Sequence, residues 1–402
     1  MTDTIDLPRN APPVLAGIEA FLDEAIAVRH DFHRHPELAW DENRTAGRVA
    51  ELLAEWGYHV TTGIGGTGVV GTLSRGEGRK SIGIRADMDA LPIAEATGLD
   101  YASEAPGRMH ACGHDGHSAI LLAAARYLAE RGDFSGTIHL IFQPAEEIGQ
   151  GALAMIADGL FDRFPCDAVF GLHNWPGLPA GKLGFVEGPA MASVDWIGIR
   201  IVGRGGHGAA PHDTVDPVIV SAHLVTALQT IVSRNVAPLD TAVVTVGSIH
   251  GGDAANVIPD AVDLALTTRS FRSEVREMLL ERIPALARNT AAAFGATAQI
   301  ELKRGFPSVV NHPAETAFAR TVANNLFGQD ALIPDLTPRT ASEDFAYLLQ
   351  QRPGSFLFVG TGPGAPLHSP RYRFNDDVIA PAAAFWVRLA ESWLSEPEEA
   401  RR

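Results

Sequence analysis

The chain has 402 residues, 46% hydrophobic and 20% charged, a composition that excludes a disordered protein and leaves room for two cores. Its 48 acidic residues outnumber its 32 basic ones, and the formal charge of −16 excludes a phosphate-backbone partner, so no nucleic acid is expected. Cys112 and Cys166 alone cannot make a disulfide framework, no apolar run is long enough to cross a bilayer, and the start MTDTIDLPRN lacks the basic and apolar regions of a signal peptide, which together predict a cytoplasmic protein without a membrane partner.

Two helices are expected first, IEAFLDEAIAVRHDFHRHPEL (18–38) and NRTAGRVAELLAEWG (43–57), the second ended by Gly57. Strand-like runs HVTTGIGGTGVVGTL and SIGIRAD follow, then a helix SAILLAAARYLAERG with Ser118 as N-cap and Gly132 as terminator. The runs TIHLIF, AVFGL and, near the other end, SFLFVG are continuously apolar, as strands are when both faces of a sheet are covered. From about 189 to 303 the order becomes DWIGIRIVG, a long helix, AVVTVGSIH, AVDLALTTRSF, a second helix and ATAQIELK, the βαββαβ signature of a ferredoxin-like unit. The expected fold is α/β: a catalytic domain with a mostly parallel sheet covered by helices (1–188 and 304–402), interrupted by an inserted α+β ferredoxin-like domain (189–303). Helices are expected again at AETAFARTVANNLFG and around AAAFWVRLAESWL, and the EPEEARR tail is expected to fray.

The segment HACGHDGHSA (110–119) sets a thiol among several imidazoles, and distant segments add further donors: Asp87 and Asp89 in RADMD, Glu146 and Glu147 in PAEE, His173 in GLHNWP and His368 in PLHSP. Each follows a strand-like run, and loops leaving the carboxyl ends of parallel strands line one crevice, so one site built from five loops is expected. Cys112 and His114 can point the same way from an extended turn, and a thiolate with imidazoles suits zinc or another borderline ion. Alone, that pair reads as a buried cysteine and a surface histidine; with Glu147, His173 and His368 at strand ends it reads as a ligand set. Of the adjacent glutamates, one can bind metal while Glu146 takes a proton from an activated water and returns it to a leaving amine. Asp89 can orient a ligand imidazole or hold the shape of the site. His110 and His117 read as locally hydrogen-bonded, and Asp87 and Cys166 as structural.

With HACGHDGH, PAEE, GLHNWP, GGHGAAPH, NVIPD, SEDF and LHSP in that order, the chain resembles the M20 metallopeptidase family over nearly its whole length. The resemblance is to the branch of N-acyl-amino-acid amidohydrolases, hippurate hydrolases and plant auxin-conjugate hydrolases. It implies two divalent metal ions per subunit (Zn, Mn, Co or Ni), held by Cys112, His114, Glu147, His173 and His368, with Glu146 as general base. It implies that the inserted domain is a lid and a dimerisation domain, giving a homodimer or a higher oligomer, and that His207 reaches the substrate carbonyl from the partner subunit to polarise it. Asn256 and Arg269 resemble positions that hold the substrate, the arginine being suited to a carboxylate, although an exposed strand residue would also explain Arg269. Wider-family peptidases carry His-x-Asp where this chain has Asp87, and a bridging Asp near the place of Cys112, which leaves the identity of the metals open. The implied reaction is hydrolysis of the amide of an N-acyl amino acid (N-acetyl, N-benzoyl or similar) by a metal-activated water. The alternatives are an exopeptidase (dipeptidase or carboxypeptidase) of the wider family, opposed by the Cys-bearing motif, and a silent binding protein for acyl-amino acids, opposed by Glu146, because a structural metal site has no need of a spare base. His212 and His250 are given no role.

Overall fold

The computed structural model describes residues 12–395; the MTDTIDLPRN start and the EPEEARR tail lie outside them. In chain order the elements are α1 (Pro13–Glu19), α2 (Leu22–Arg34), α3 (Asn43–Glu55), β1 (His59–Ile64), β2 (Gly68–Arg75), β3 (Ser81–Asp87), α4 (His114–Arg131), β4 (Gly136–Gln143), α5 (Gly151–Ala157), α6 (Leu160–Arg163), β5 (Ala168–Trp175), β6 (Leu183–Gly184) and β7 (Gly188–Met191). There follow β8 (Ser193–Val202), β9 (Gly206–His207), α7 (Pro217–Asn235), β10 (Ala242–His250), β11 (Val257–Ile258), β12 (Ala261–Ser270), α8 (Ser273–Ala293), β13 (Thr297–Arg304), β14 (Val309–Asn311), α9 (Pro313–Phe327), α10 (Phe345–Gln351), β15 (Gly354–Gly360) and α11 (Ile379–Ser395). They form two compact units: one runs to Gly188 and takes up Val310–Thr337 and the chain from Asp344, the other is Pro189–Val309 with Pro338–Glu343.

The sheet of the first unit has the order β1-β2-β4-β3-β5-β15-β6. Its four middle strands, β4, β3, β5 and β15, are parallel, while β1, β2 and β6 add antiparallel edges. Both faces are covered, which is why the middle strands read as unbroken apolar runs. Ile82, Ile84, Leu140, Phe142, Phe170 and Leu357 join α4 and α11 in one core. The residues between them face the other way, Gly83 towards Ile141, Val169 and Cys166, and Gly171 towards Phe345 and Phe356. Cys166 is buried, and burial pushes its thiol up to about 12, so it stays protonated and inert.

The structure corrects two helix boundaries. The expected helix over 18–38 is two, α1 and α2, and α2 stops at Arg34 because Pro36 excludes the helical conformation from the residue before it; His35 sits at φ −122, ψ 57. Helix α4 begins at His114, four residues before the expected cap Ser118, whose hydroxyl instead donates to the Asp87 carbonyl at 2.9 Å. The start is set by Gly113, left-handed at φ 94, where a Cβ would lie 2.3 Å from Asn174 Oδ1 and 2.9 Å from the Tyr372 hydroxyl. The link between Cys112 and His114 is therefore this glycine kink rather than an extended turn, and His114 and His117 share the first turn of a helix.

In the second unit the antiparallel sheet has the order β10-β12-β8-β13, the ferredoxin-like arrangement. Ile197, Ile199, Ile201, Leu264 and Leu266 share a core with Leu224 and Leu228 of α7 and Leu279 and Ile283 of α8. Alternation of buried and exposed residues along β12 shows that the sheet is covered on one face. A small ribbon pairs β9 with β11, His207 opposite Val257. No helix among the described residues is long and apolar enough to cross a membrane.

Candidate active site

The carboxyl ends of the parallel strands bring the side chains of one site together. His173 lies near the end of β5, Asp87 ends β3, Glu146 and Glu147 follow β4, His368 follows β15, and Cys112 precedes α4. Hydrogen bonds fix which ring nitrogen each histidine presents. Nδ1 of His173 donates to the Asn174 carbonyl at 2.7 Å, leaving Nε2 to face the Cys112 Sγ at 3.4 Å. Nδ1 of His114 donates to the Asp89 carbonyl at 2.9 Å, and its Nε2 is buried without a hydrogen-bond partner among the described residues, as is Oε1 of Glu147, 3.9 Å away. Oε2 of Glu146 is 4.0 Å from the same nitrogen. His368, left-handed at φ 63 and tethered by its N–H to the Ala111 carbonyl, puts Nε2 3.6 Å from Glu147 Oε2.

Donor atoms of Cys112, His114 and His173 lie within 4.8 Å of one another, as do those of Cys112, Glu147 and His368 and those of His114, Glu146 and Glu147. The first two groups share the cysteine. Burial holds His173 well below its usual pKa, and burial with the charge of His114 lowers His368, so both present lone pairs. Burial also disfavours charge on His114, but the carboxylates around it, Asp87 foremost, outweigh that and raise it to about 10, while burial pushes Glu147 up. A buried nest of carboxylates with orphaned lone pairs is short of positive charge, and the donor set of thiolate, imidazole and carboxylate fits divalent metal.

Behind these residues stands a layer that the motifs only partly announced. Asp87 also lies within 4.8 Å of His114 and His117, yet its carboxylate is already used: Oδ2 accepts from Arg85 Nη1 at 2.8 Å and Oδ1 bonds His117 Nδ1 at 2.6 Å. Nε2 of His117 in turn accepts the Asn174 N–H at 3.0 Å, so both its nitrogens are engaged. Burial opposes the charge of Asp87, but His114, Arg85 and His117 hold it well below the usual carboxylate range. Arg85 continues to Gln143 at 2.9 Å and Asp344 at 3.1 Å. Asp89 accepts the Glu147 N–H on Oδ2 at 2.9 Å, besides seating His114 through its carbonyl. Asp115, next to His114, is held by Arg29 at 3.0 Å and His33 at 2.8 Å, tying the start of α4 to α2. His110 departs from the expected local bonding: neither ring nitrogen has a hydrogen-bond partner among the described residues, and burial lowers it to about 4.

In the second unit, His207 and Asn256 are exposed and adjacent, the Gly208 N–H donating to the Asn256 carbonyl at 2.8 Å. A Cβ on Gly208 would lie 3.0 Å from that carbonyl oxygen, the close backbone approach that the glycines there predict. Nδ1 of His207 accepts the Ala209 N–H at 3.0 Å, which leaves Nε2 outward. Arg269 is half-buried rather than exposed, donates to the Thr268 carbonyl and the Thr267 hydroxyl, and makes no ion pair among the described residues.

A parallel-sheet unit with a buried Cys, His and Glu cluster at its strand ends, accompanied by a ferredoxin-like unit, is the build of a metal-dependent amide hydrolase. Residues 83–392 match peptidase family M20/M25/M40, and the chain belongs to that family, in its amidohydrolase branch. It is 43% identical to the hippurate hydrolase of Campylobacter jejuni, over 91% of this chain and 96% of that protein, and 42% identical to an N-acetyl-L-cysteine deacetylase of Bacillus subtilis, over 99% and 94%. Among solved structures it is similar to a Bacillus subtilis protein described as a dinuclear metal-binding peptidase from the M20 family, with a TM-score of 0.81 and 34% identity, covering 94% of this chain and 99% of that one.

Proposed function

We propose that this hydrolase cleaves the amide of N-acyl amino acids to a carboxylate and a free amino acid, with Glu146 as general base. The observation that carries the reading is the convergence of Cys112, His114, Glu147, His173 and His368 beside a second buried carboxylate, Glu146. The first five would hold two divalent ions, with Cys112 common to both groups. Bound there, the ions would polarise the amide carbonyl and lower the pKa of water from about 16 towards neutrality. Glu146 accepts the proton of the attacking water on a carboxylate oxygen and delivers it to the leaving nitrogen. His207 of the partner subunit supplies a hydrogen bond to the developing oxyanion, and Asn256 and Arg269 hold the substrate, the guanidinium facing its carboxylate. The similarity to a hippurate hydrolase and an acetylcysteine deacetylase supports small N-acyl amino acids as the substrate class.

A homodimer through the second unit is part of this reading. Helix α7 has no Asp, Glu, Lys or Arg before Arg234, it exposes Val218 and Ile219, and it packs on β10, an edge strand. The test is a screen of N-acetyl, N-benzoyl and indole-acyl amino acids after chelation and re-addition of Zn, Mn, Co or Ni. Hydrolysis lost on chelation and restored by metal is expected. Turnover indifferent to chelation, or confined to unblocked dipeptides, would overturn the assignment.

A further inference from the structure

Glu42 is a fully buried carboxylate that no step above uses, and it makes no ion pair with Arg, Lys or His among the described residues. It stands at the N-cap of α3 and makes no capping bond there. Glu37 does that work instead, accepting the N–H groups of Arg44 at 2.9 Å and Thr45 at 2.8 Å. Freed from its helix, Glu42 reaches about a hundred residues along the chain: Oε1 accepts the Ala145 N–H at 2.8 Å, and Oε2 accepts the Thr67 hydroxyl at 2.7 Å.

Ala145 is the residue before Glu146, and its backbone is left-handed at φ 52, a conformation unfavourable for a residue with a Cβ. The turn beyond it closes on itself, with the N–H groups of Gln150 and Gly151 both directed to the Ala145 carbonyl. On the far side of Glu146, the Glu147 N–H is held by Asp89 Oδ2 at 2.9 Å. The peptide N–H groups flanking Glu146 are thus each held by a buried carboxylate from a different segment.

We infer that Glu42 is a positioning residue for Glu146, fixing the left-handed turn at Ala145 that sets where the general base points. The inference rests on the reading of Glu146 as the base. An unpaired buried carboxylate is costly, and here one oxygen holds this turn while the other is fixed by the Thr67 hydroxyl.

The test compares E42A, E42Q and E42D with the wild-type enzyme on an N-acyl amino acid that the wild type hydrolyses, with metal content and hydrogen exchange followed in parallel. In E42A kcat should fall about tenfold or more, because small misplacements of a reacting group are expensive, while KM and bound metal stay near wild type. Exchange in the peptide spanning 143–150 should accelerate, with β4 and α3 still protected. In E42Q the amide oxygen can keep the Ala145 N–H while its NH2 donates to Thr67, so kcat should recover to within about threefold of wild type. If E42A does not fold, E42D carries the test: one methylene shorter, it cannot reach both partners, and kcat should fall with faster exchange in the same peptide. A folded E42A or E42D with unchanged kcat overturns the inference, as does loss of metal in step with activity. A wild-type enzyme inactive on every N-acyl amino acid would instead defeat the proposed function, and the exchange result would still decide whether Glu42 holds the turn.

Discussion

The two regions offered for catalysis are built in opposite ways. Around the strand ends of the first unit the candidate donors other than the exposed His368 are buried or half-buried, and three of them are aimed by a second group: His114 by the Asp89 carbonyl, His173 by the Asn174 carbonyl, Glu147 by Asp89. On the β9–β11 ribbon of the second unit His207 and Asn256 are exposed and held by backbone contacts, the Gly208 N–H on the Asn256 carbonyl among them. The first region is organised by its own chain. The second offers groups that gain a function only when something is laid against them, which is what the proposal of a partner subunit requires.

The sharpest way to break that contrast is to separate the two glutamates. Glu146→Gln keeps shape but cannot accept a proton, so turnover should drop by roughly a hundredfold or more with metal retained, whereas Glu147→Gln should lose metal along with activity. Metal analysis beside kcat decides it; metal retained in both, with only Glu147→Gln inactive, would exchange the roles. The second region is tested by complementation. Homodimers of His207→Ala or of Glu146→Gln should each be nearly inactive, yet a mixed dimer has one site with both defects and one with neither. Subunit exchange should then restore up to about a quarter of wild-type activity if half the dimers are mixed. No recovery, with heterodimers confirmed by mass spectrometry, would place His207 in its own chain's site or in a structural role.

A smaller effect probes how the first region is braced. Burial lowers the affinity of His33 for a proton, but its bonds to Asp115 and Glu95 outweigh that and raise it to about 9. A folded-state pKa above the unfolded value of about 6.5 stabilises the fold fully below that pH and is lost as pH rises through about 9. The contribution is at most about 3 kcal/mol. Denaturant unfolding at pH 6 and pH 9.5 should show a loss of stability in the wild type that is largely absent in His33→Gln; equal losses in both would remove His33 from the bracing.

The sequence made the strands and the donor residues legible because their signals are local: unbroken apolar runs for doubly covered strands, and His, Cys and Glu set just beyond them. What it hid are contacts made at long range. Nothing near Glu42 says that its carboxylate will be spent on Ala145, about a hundred residues away, and nothing in RADMD says that His117 will take the oxygen of Asp87 that Arg85 leaves open. The start of α4 was misplaced because Ser118 is a good N-cap by type, while the decisive feature is Gly113 pressed against Asn174, a residue of another strand. His33 and Arg29 could have been suspected from the density of His and Arg in VRHDFHRHP, but the acid they serve, Asp115, is fixed only by the packing of α2 on α4.

The chain of bonds from Asp344 through Arg85 and Asp87 to His117 and the Asn174 backbone runs through protein groups alone. None of these bonds needs an ion to join its partners, in contrast to small domains whose folding is metal binding. The wall behind the candidate donors is thus joined by the protein's own hydrogen bonds, and an ion seated in front of it would be a guest of that wall and not its mortar.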